Sequence, residues 1–495
     1  MEKNLRLDSS FLLQRIALGI FIFFPIALSI ISQILLVVHS WNFIKFLLFG
    51  FLVITFLIPI FAILAKNSIW GLIEQSKYLP IFWVLGIAIV LRIVLVQLIS
   101  TNFVSDMEDV HFLAVDISHG NPIANIENYP NIPGATHLNM SALVLSFVYK
   151  LLGASTASAK LFLIMLGGLS TFLIYLAGRE IADMQVGFFA AFLFAILPSV
   201  ICYTGVLAGD HFALPPMVLA MFIFARTNKF DIENSKFFSL ILHYAIIGIL
   251  VGFADWFRPV GILLFIAFII SVLIYGVGRL KFYRLLIILG VLLLTYTQTS
   301  NLAVKISESV FQTDVLSSSQ RIGEFVLKGL NPDSKGIVTL EDDAIAGETY
   351  QSFGDDSVGA QAYLIRLALS RLEQGQIMDL FKEKFTLIWS SHDALFDYSL
   401  AGSNDLEIVN LMRSFETLLY LVITIFILFH AIITIRQRSH PAVFAMQLFI
   451  FGFALLLLVT EVQNRYVMVV IPFSILLGMM GVKDAFSIKA NSTLP

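Results

Sequence analysis

The stretch 79-LPIFWVLGIAIVLRIVLVQLIS-100 runs for twenty-two residues with one charge, Arg92. A second, 418-LLYLVITIFILFHAIITI-435, has none. About 20 apolar residues are needed to cross a bilayer as helix, and lipid offers the backbone no outside hydrogen-bond partner, so such runs read as transmembrane helices. The whole chain agrees. Of its 495 residues, 58% are hydrophobic and 13% charged, against roughly 25% charged in an ordinary soluble domain. Spans are expected near 13–38, 43–65, 79–100, 158–178, 184–203, 211–226, 238–255, 259–277, 283–299, 415–435, 441–459 and 466–482. The apolar run after MEKNLRLDSS has no small-residue cleavage site and reads as a retained first span.

Short loops orient these spans. One set contains Lys66 and Lys77, Arg179, Arg226, Lys229 and Lys236, Arg279, Lys281 and Arg284, Arg436 and Arg438, and Lys483 and Lys489. The alternate set, HSWN at 39–42, 204–210, DWFRP at 255–259 and TEVQNR at 460–465, contains only Arg258 and Arg465. Basic loops stay inside, so the second set faces out. The apolar stretch 141-SALVLSFVYKLLGA-154 is short and carries Lys150. Counting it as a span would turn every later basic cluster outward, so it reads as an interfacial or re-entrant outer helix.

The fold class is therefore an all-α polytopic membrane protein of about twelve transmembrane helices, with interfacial helices on the outer face and a small external region. Residues 1–299 form an N-terminal transmembrane module that includes an outer loop at 101–157, residues 300–414 an acid-rich external region, and 415–495 the last helices. Net charge is −3, which argues against a nucleic-acid partner. Cys202 is the single cysteine, so no intrachain disulfide forms.

The first outer loop holds 105-SDMEDVHFLAVDISHGNP-122. Ser105 with Glu108 fits a capping box, and Gly120 followed by Pro122 fits a helix stop. Met107, Val110, Ala114 and Ile117 make an apolar stripe. Asp106 falls in the first turn, on the same face as Asp109. Acids here also favour the helix dipole, the plainer explanation. A metal reading of Asp106, Asp109 and His111 lacks a second ligand cluster; no cofactor is called for, and a divalent cation stays open.

The S-D-x-x-D helix after an early span resembles the GT-C superfamily of integral-membrane glycosyltransferases, in its protein O-mannosyltransferase and aminoarabinose-transferase-like branch. The resemblance continues through 159–226, where 178-GREI-181 precedes a small-residue-rich span ending near Pro198 and Asp210 is the acid opening the next span. It extends to 256-WFRPVGILLF-265, 384-KFTLIW-389 and 461-EVQNRYVMVVIPF-473. The sequence departs from the group at Val110, where an aromatic residue is common, and in a proline-rich tract reduced to 129-YPNIPGATH-137.

The resemblance implies inverting sugar transfer from a polyprenyl-phosphate donor to an envelope acceptor (wall polymer, glycolipid or protein) on the outer face of a cell membrane. Asp106 carries over as general base, with Asp109 beside it. Arg258 and Arg465, the two outer arginines that break the charge rule, would hold the phosphate; an ion pair with Asp255 or Glu461 is the plainer alternative. Glu461, Gln463, Asp210, His211 and Lys384 complete the substrate-binding candidates. No G-x-G-x-x-G or P-loop pattern and no inner segment of suitable length point to a nucleotide sugar. A transporter or flippase, for which Arg92 would be the mid-span charge, and a polysaccharide ligase are the competing readings. The Ile-, Leu- and Phe-rich composition points to a bacterial source.

Overall fold

The computed structural model describes residues 79–120, 135–229, 237–277, 280–311, 321–354, 356–372, 376–400, 406–436 and 439–492. The expected spans 13–38 and 43–65 lie outside these residues. Among the described residues every regular element is helical, with no strand.

In chain order the elements are α1 Leu79–Leu98, α2 Asp106–Ser118, α3 Thr136–Leu152, α4 Thr156–Ile181, α5 Met184–Ile196, α6 Pro198–Tyr203, α7 Gly209–Lys229, α8 Phe237–Asp255, α9 Gly261–Gly276 and α10 Phe282–Phe311. Then come α11 Ile322–Gly329, α12 Leu340–Phe353, α13 Ser357–Ser370, α14 Gln376–Trp389, α15 Asp393–Ser399, α16 Leu406–Arg436, α17 Pro441–Val459, a 3-10 helix Asn464–Val469 and α18 Ile471–Ser492. Among the described residues α1, α4, α8, α10, α17 and the 415–435 part of α16 are long and apolar enough to cross a membrane. Helices α5 and α9 are apolar but shorter. Helix α10 runs unbroken past 299 and α16 begins before 415, so both carry the bundle into the 300–414 segment expected to be external.

The helices share two ends. At one, Lys160 Nζ donates to the Thr101 carbonyl at 2.7 Å, joining the start of α4 to the end of α1. At the other, Lys483 pairs with Asp183 at 2.6 Å and His430 with Asp484 at 2.7 Å. Helix α3 begins beside Arg258 and Arg465 and ends at Gly153, just before α4 starts near Thr101. Both its ends lie at the same end of the bundle, so it does not cross. It packs instead over α2, burying Met140, Leu145 and Tyr149 with Met107, Val110, Ala114 and Ile117.

The α2 stripe is thus buried as its spacing implies, and Gly120 at φ +88° ends the helix region. The capping box is not formed. Ser105 sits at φ +54°, a costly region for a non-glycine residue, and its side chain caps no backbone N–H. Its hydroxyl donates to Asp106 Oδ1 at 3.2 Å instead.

The run 184–203 is not one helix. It breaks at Leu197 before Pro198, giving α5 and α6. The break leaves backbone donors that lipid cannot satisfy. Glu416 of α16 accepts from the Ser199 N–H at 2.5 Å, and its other oxygen is held by His392 Nδ1 at 2.5 Å.

Arg92, the charge inside α1, is fully buried. It donates to the Ala88 carbonyl at 3.0 Å and faces the Phe194 ring at 5.6 Å. A Cβ on Gly167 would stand 2.6 Å from its Nε, so glycine there makes the room.

Candidate active site

Four segments converge at the end of the bundle that carries the external helices. Asp106 stands at the first turn of α2 and Asp210 at the first turn of α7. Arg258 lies between α8 and α9, and residues 460–466 join α17 to α18. Their approach depends on small residues. A Cβ on Gly209 would fall 2.3 Å from the Phe257 carbonyl, so only glycine lets the start of α7 touch the Arg258 loop.

Two arginines form the centre. Arg258 Nε meets Asp210 Oδ1 at 2.9 Å, and Tyr203 donates to the other Asp210 oxygen at 3.2 Å. The Arg258 guanidinium lies over the Tyr466 ring at 4.2 Å, and the Tyr466 hydroxyl donates to Glu461. Arg465 lies over the Tyr398 ring at 4.4 Å, whose hydroxyl donates to Gln463 at 3.2 Å. Arg465 is also 3.9 Å from Asp106, whose side chain is 40% exposed. Aromatic faces hold a guanidinium without using up its N–H groups. Accordingly, Arg258 Nη2 and Arg465 Nε are buried donors with no partner among the described residues. A buried cationic donor left without an acceptor is costly, and here there are two in one network.

The sequence candidates therefore divide. Asp106, Asp210, Arg258, Glu461, Gln463 and Arg465 come together in one network. Asp109 lies a turn further along α2, half-buried. His211 is buried and donates through Nε2 to the Tyr203 carbonyl at 2.9 Å, which makes it a brace for the α6–α7 turn. Lys384 is fully buried, its ammonium facing three carbonyls. Asp255, the plainer partner for Arg258, instead accepts from Tyr296 at 2.5 Å.

Other residues at the site escaped the sequence reading. His137 opens α3 within the field of Arg258, Arg321 and Arg465. Burial first, then these three cations, push its pKa down to about 3, so the imidazole is neutral at ordinary pH. From the external region, Arg321 grips Glu324 with two bonds of 2.9 Å. Lys328 contacts Glu324 at 2.7 Å, Asp343 at 2.6 Å and Glu461 at 3.9 Å. Burial works against the ionised Glu324, but the Arg321 bonds and the nearby Lys328 hold its pKa below the usual value. No local pattern in 129-YPNIPGATH-137 singles out His137.

Among the described residues no group of three or more His, Cys, Asp or Glu side chains is placed to hold a metal ion. Asp106 faces a guanidinium, and a cation there would meet like charge. A divalent cation stays open, with no cluster of ligands for it among the described residues.

No protein-family model matches the sequence, and no curated protein does. Several solved structures are similar. The apo oligosaccharyltransferase of Archaeoglobus fulgidus is 16% identical, over 83% of this chain and 51% of that one, with TM-score 0.49. AglB from the same organism, with an inhibitory peptide and a dolichol-phosphate, is 14% identical over 83% and 51%, TM-score 0.43. ArnT from Cupriavidus metallidurans, bound to undecaprenyl phosphate, is 13% identical over 84% and 80%, TM-score 0.35. The chain spans about half the length of the oligosaccharyltransferases.

Proposed function

We propose that the protein is a GT-C-type membrane glycosyltransferase that moves a sugar from a polyprenyl-phosphate donor to an envelope acceptor on the outer face. The observation that carries this reading is the pair of buried, unpartnered donors, Arg258 Nη2 and Arg465 Nε, beside the Asp106 carboxylate. Two guanidiniums in one network suit the oxygens of a phosphate. A carboxylate at its rim suits an acceptor hydroxyl.

The reaction divides among these residues. The acceptor oxygen attacks the anomeric carbon from the face opposite the phosphate, and its proton passes to Asp106. The bond from the anomeric carbon to the phosphate oxygen breaks, and the polyprenyl phosphate leaves with the electron pair. Its new charge is taken by the Arg258 and Arg465 guanidiniums. The anomeric configuration inverts. Arg465 has a second task, since its 3.9 Å approach to Asp106 orients the base toward the phosphate end of the donor. Asp210 and Tyr466 hold Arg258 in its plane.

A lipid donor suits a site at a bundle end, where a prenyl tail can stay between apolar helices. The test is purified full-length protein in lipid, given polyprenyl-phosphate sugars and nucleotide sugars separately with cell-envelope extract as acceptor. Transfer is expected from the lipid donors alone. Arg258→Lys and Arg465→Lys should each lower it, because a lysine keeps the charge but loses the fork. Transfer from nucleotide sugars alone would overturn the reading.

A further inference from the structure

We propose that Lys384 is a positioning residue: from external helix α14 its ammonium fixes the 458–466 segment, and with it the cleft-facing geometry of Glu461, Gln463 and Arg465. This rests on the reading of that cleft given above. An ammonium has three N–H donors. Those of Lys384 go to the Gly329 carbonyl at 2.7 Å, the Leu458 carbonyl at 2.8 Å and the Thr460 carbonyl at 2.7 Å. None is left for a substrate. Among the described residues no carboxylate pairs with it. A fully buried lysine held only by carbonyls contributes through geometry, since it has no counter-ion to neutralise.

The three carbonyls are the informative part. Leu458 and Thr460 belong to the frayed end of α17, where the last carbonyls of a helix lose their internal partners. Gly329 closes α11 in the external region. Lys384 thus joins the end of a bundle helix to an external helix at one point. Two backbone bonds extend the join. The Glu461 N–H donates to the Phe325 carbonyl at 2.9 Å, and the Val462 N–H to the Gly336 carbonyl at 2.8 Å. The packing leaves no slack: a Cβ on Gly329 would stand 2.1 Å from the Thr460 carbonyl carbon. Gly336, at φ +77°, approaches both the Gly329 carbonyl and the Lys384 side chain, each at 2.9 Å from the Cβ it lacks. From this clamped stretch the chain runs through Gln463 to Arg465 within five residues of Thr460. The external region is therefore part of the active site's frame.

The test uses the full-length protein in lipid nanodiscs. Lys384→Met keeps the length and apolar stem but removes the donors, and Gly336→Ala leaves Lys384 intact while pressing on it. Amide exchange is read at residues 461 and 462, and binding of undecaprenyl phosphate is measured in parallel. Lys384→Met should exchange faster at 461 and 462 by about tenfold or more, the size of a lost charge-assisted hydrogen bond. Gly336→Ala should exchange faster at 461, whose acceptor is the Phe325 carbonyl and not Gly336 itself. Protection in α13 and in the bundle should stay as in the unchanged protein, and undecaprenyl phosphate should bind more weakly. Unchanged exchange at 461 and 462 would overturn the proposal, as would a loss of protection spread evenly over 321–400. Should the unchanged protein bind no undecaprenyl phosphate, the functional reading fails, while the exchange pattern still decides the role of Lys384. Where Lys384→Met fails to insert, exchange in Gly336→Ala decides between these outcomes.

Discussion

Asp106 sits directly after Ser105, a residue at φ +54°. A non-glycine residue held there costs on the order of 1–3 kcal/mol. That strain turns the chain sharply before α2 and sets the Asp106 carboxylate toward Arg465. Asp106→Asn should reduce transfer by about two to four orders of magnitude while the protein still inserts; Asp109→Asn should cost less. Near-normal turnover in Asp106→Asn would leave Asp106 as a helix-end acid only. His137 gives a separate check on the field of the cleft. Its pKa falls from 6.5 in the unfolded chain to about 3 in the fold. Between those values the unfolded chain binds a proton that the folded one refuses, so acidification through this window removes stability. His137→Gln has no such proton, and its melting temperature should drop less than that of the unchanged protein from about pH 7 to about pH 4. Equal slopes would remove the cationic environment assigned to His137. The acids and arginines could be read from sequence, because they break the apolar pattern or the charge rule. His137 could not, because three arginines from distant segments make its environment.

The helices that cross could be read because each must satisfy its own backbone in lipid, which forces long apolar runs. The interfacial character of α3 was legible for the same reason, through the loop charges that a further crossing would have inverted. The break at Pro198 was hidden inside an apolar run. Its open donor is closed by Glu416, two hundred residues away, and no local pattern reports that. Close helix approach was also not evident. A Cβ on Gly187 would stand 2.5 Å from the Tyr175 carbonyl and 2.8 Å from the Arg179 nitrogen, both backbone atoms that cannot yield cheaply. Gly187→Ala should therefore separate α4 from α5 at a cost of about 1–3 kcal/mol. Gly290 of α10 meets nothing within 4 Å, and Gly290→Ala should be neutral or slightly stabilising. Thermal melting of the two variants compares them directly; equal losses would place the close α4–α5 contact in error.

At the scale of the molecule, the cleft and the external helices share one end and the basic residues Arg179, Lys281, Arg284 and Lys483 the other. This arrangement predicts labelling in a Cys202→Ser background. Glu348→Cys should react with an impermeant maleimide on intact cells, and Lys281→Cys only after permeabilisation. The reverse pattern would turn the whole scheme over. The external region was visible in the sequence only as a long acid-rich insert; its grip on residues 458–462 depends on contacts across the fold. The site's own make-up has a further consequence. Asp106 is made early and Arg465 almost last. At 5–20 residues per second, the ribosome takes on the order of tens of seconds to travel between them. Throughout that interval the nascent chain sits among the membrane's lipids with Asp106 but without the Arg465 guanidinium. On the proposed function, synthesis itself would keep the chain silent until the final helices are threaded, and a prematurely terminated chain would be an inert passenger rather than an unregulated transferase.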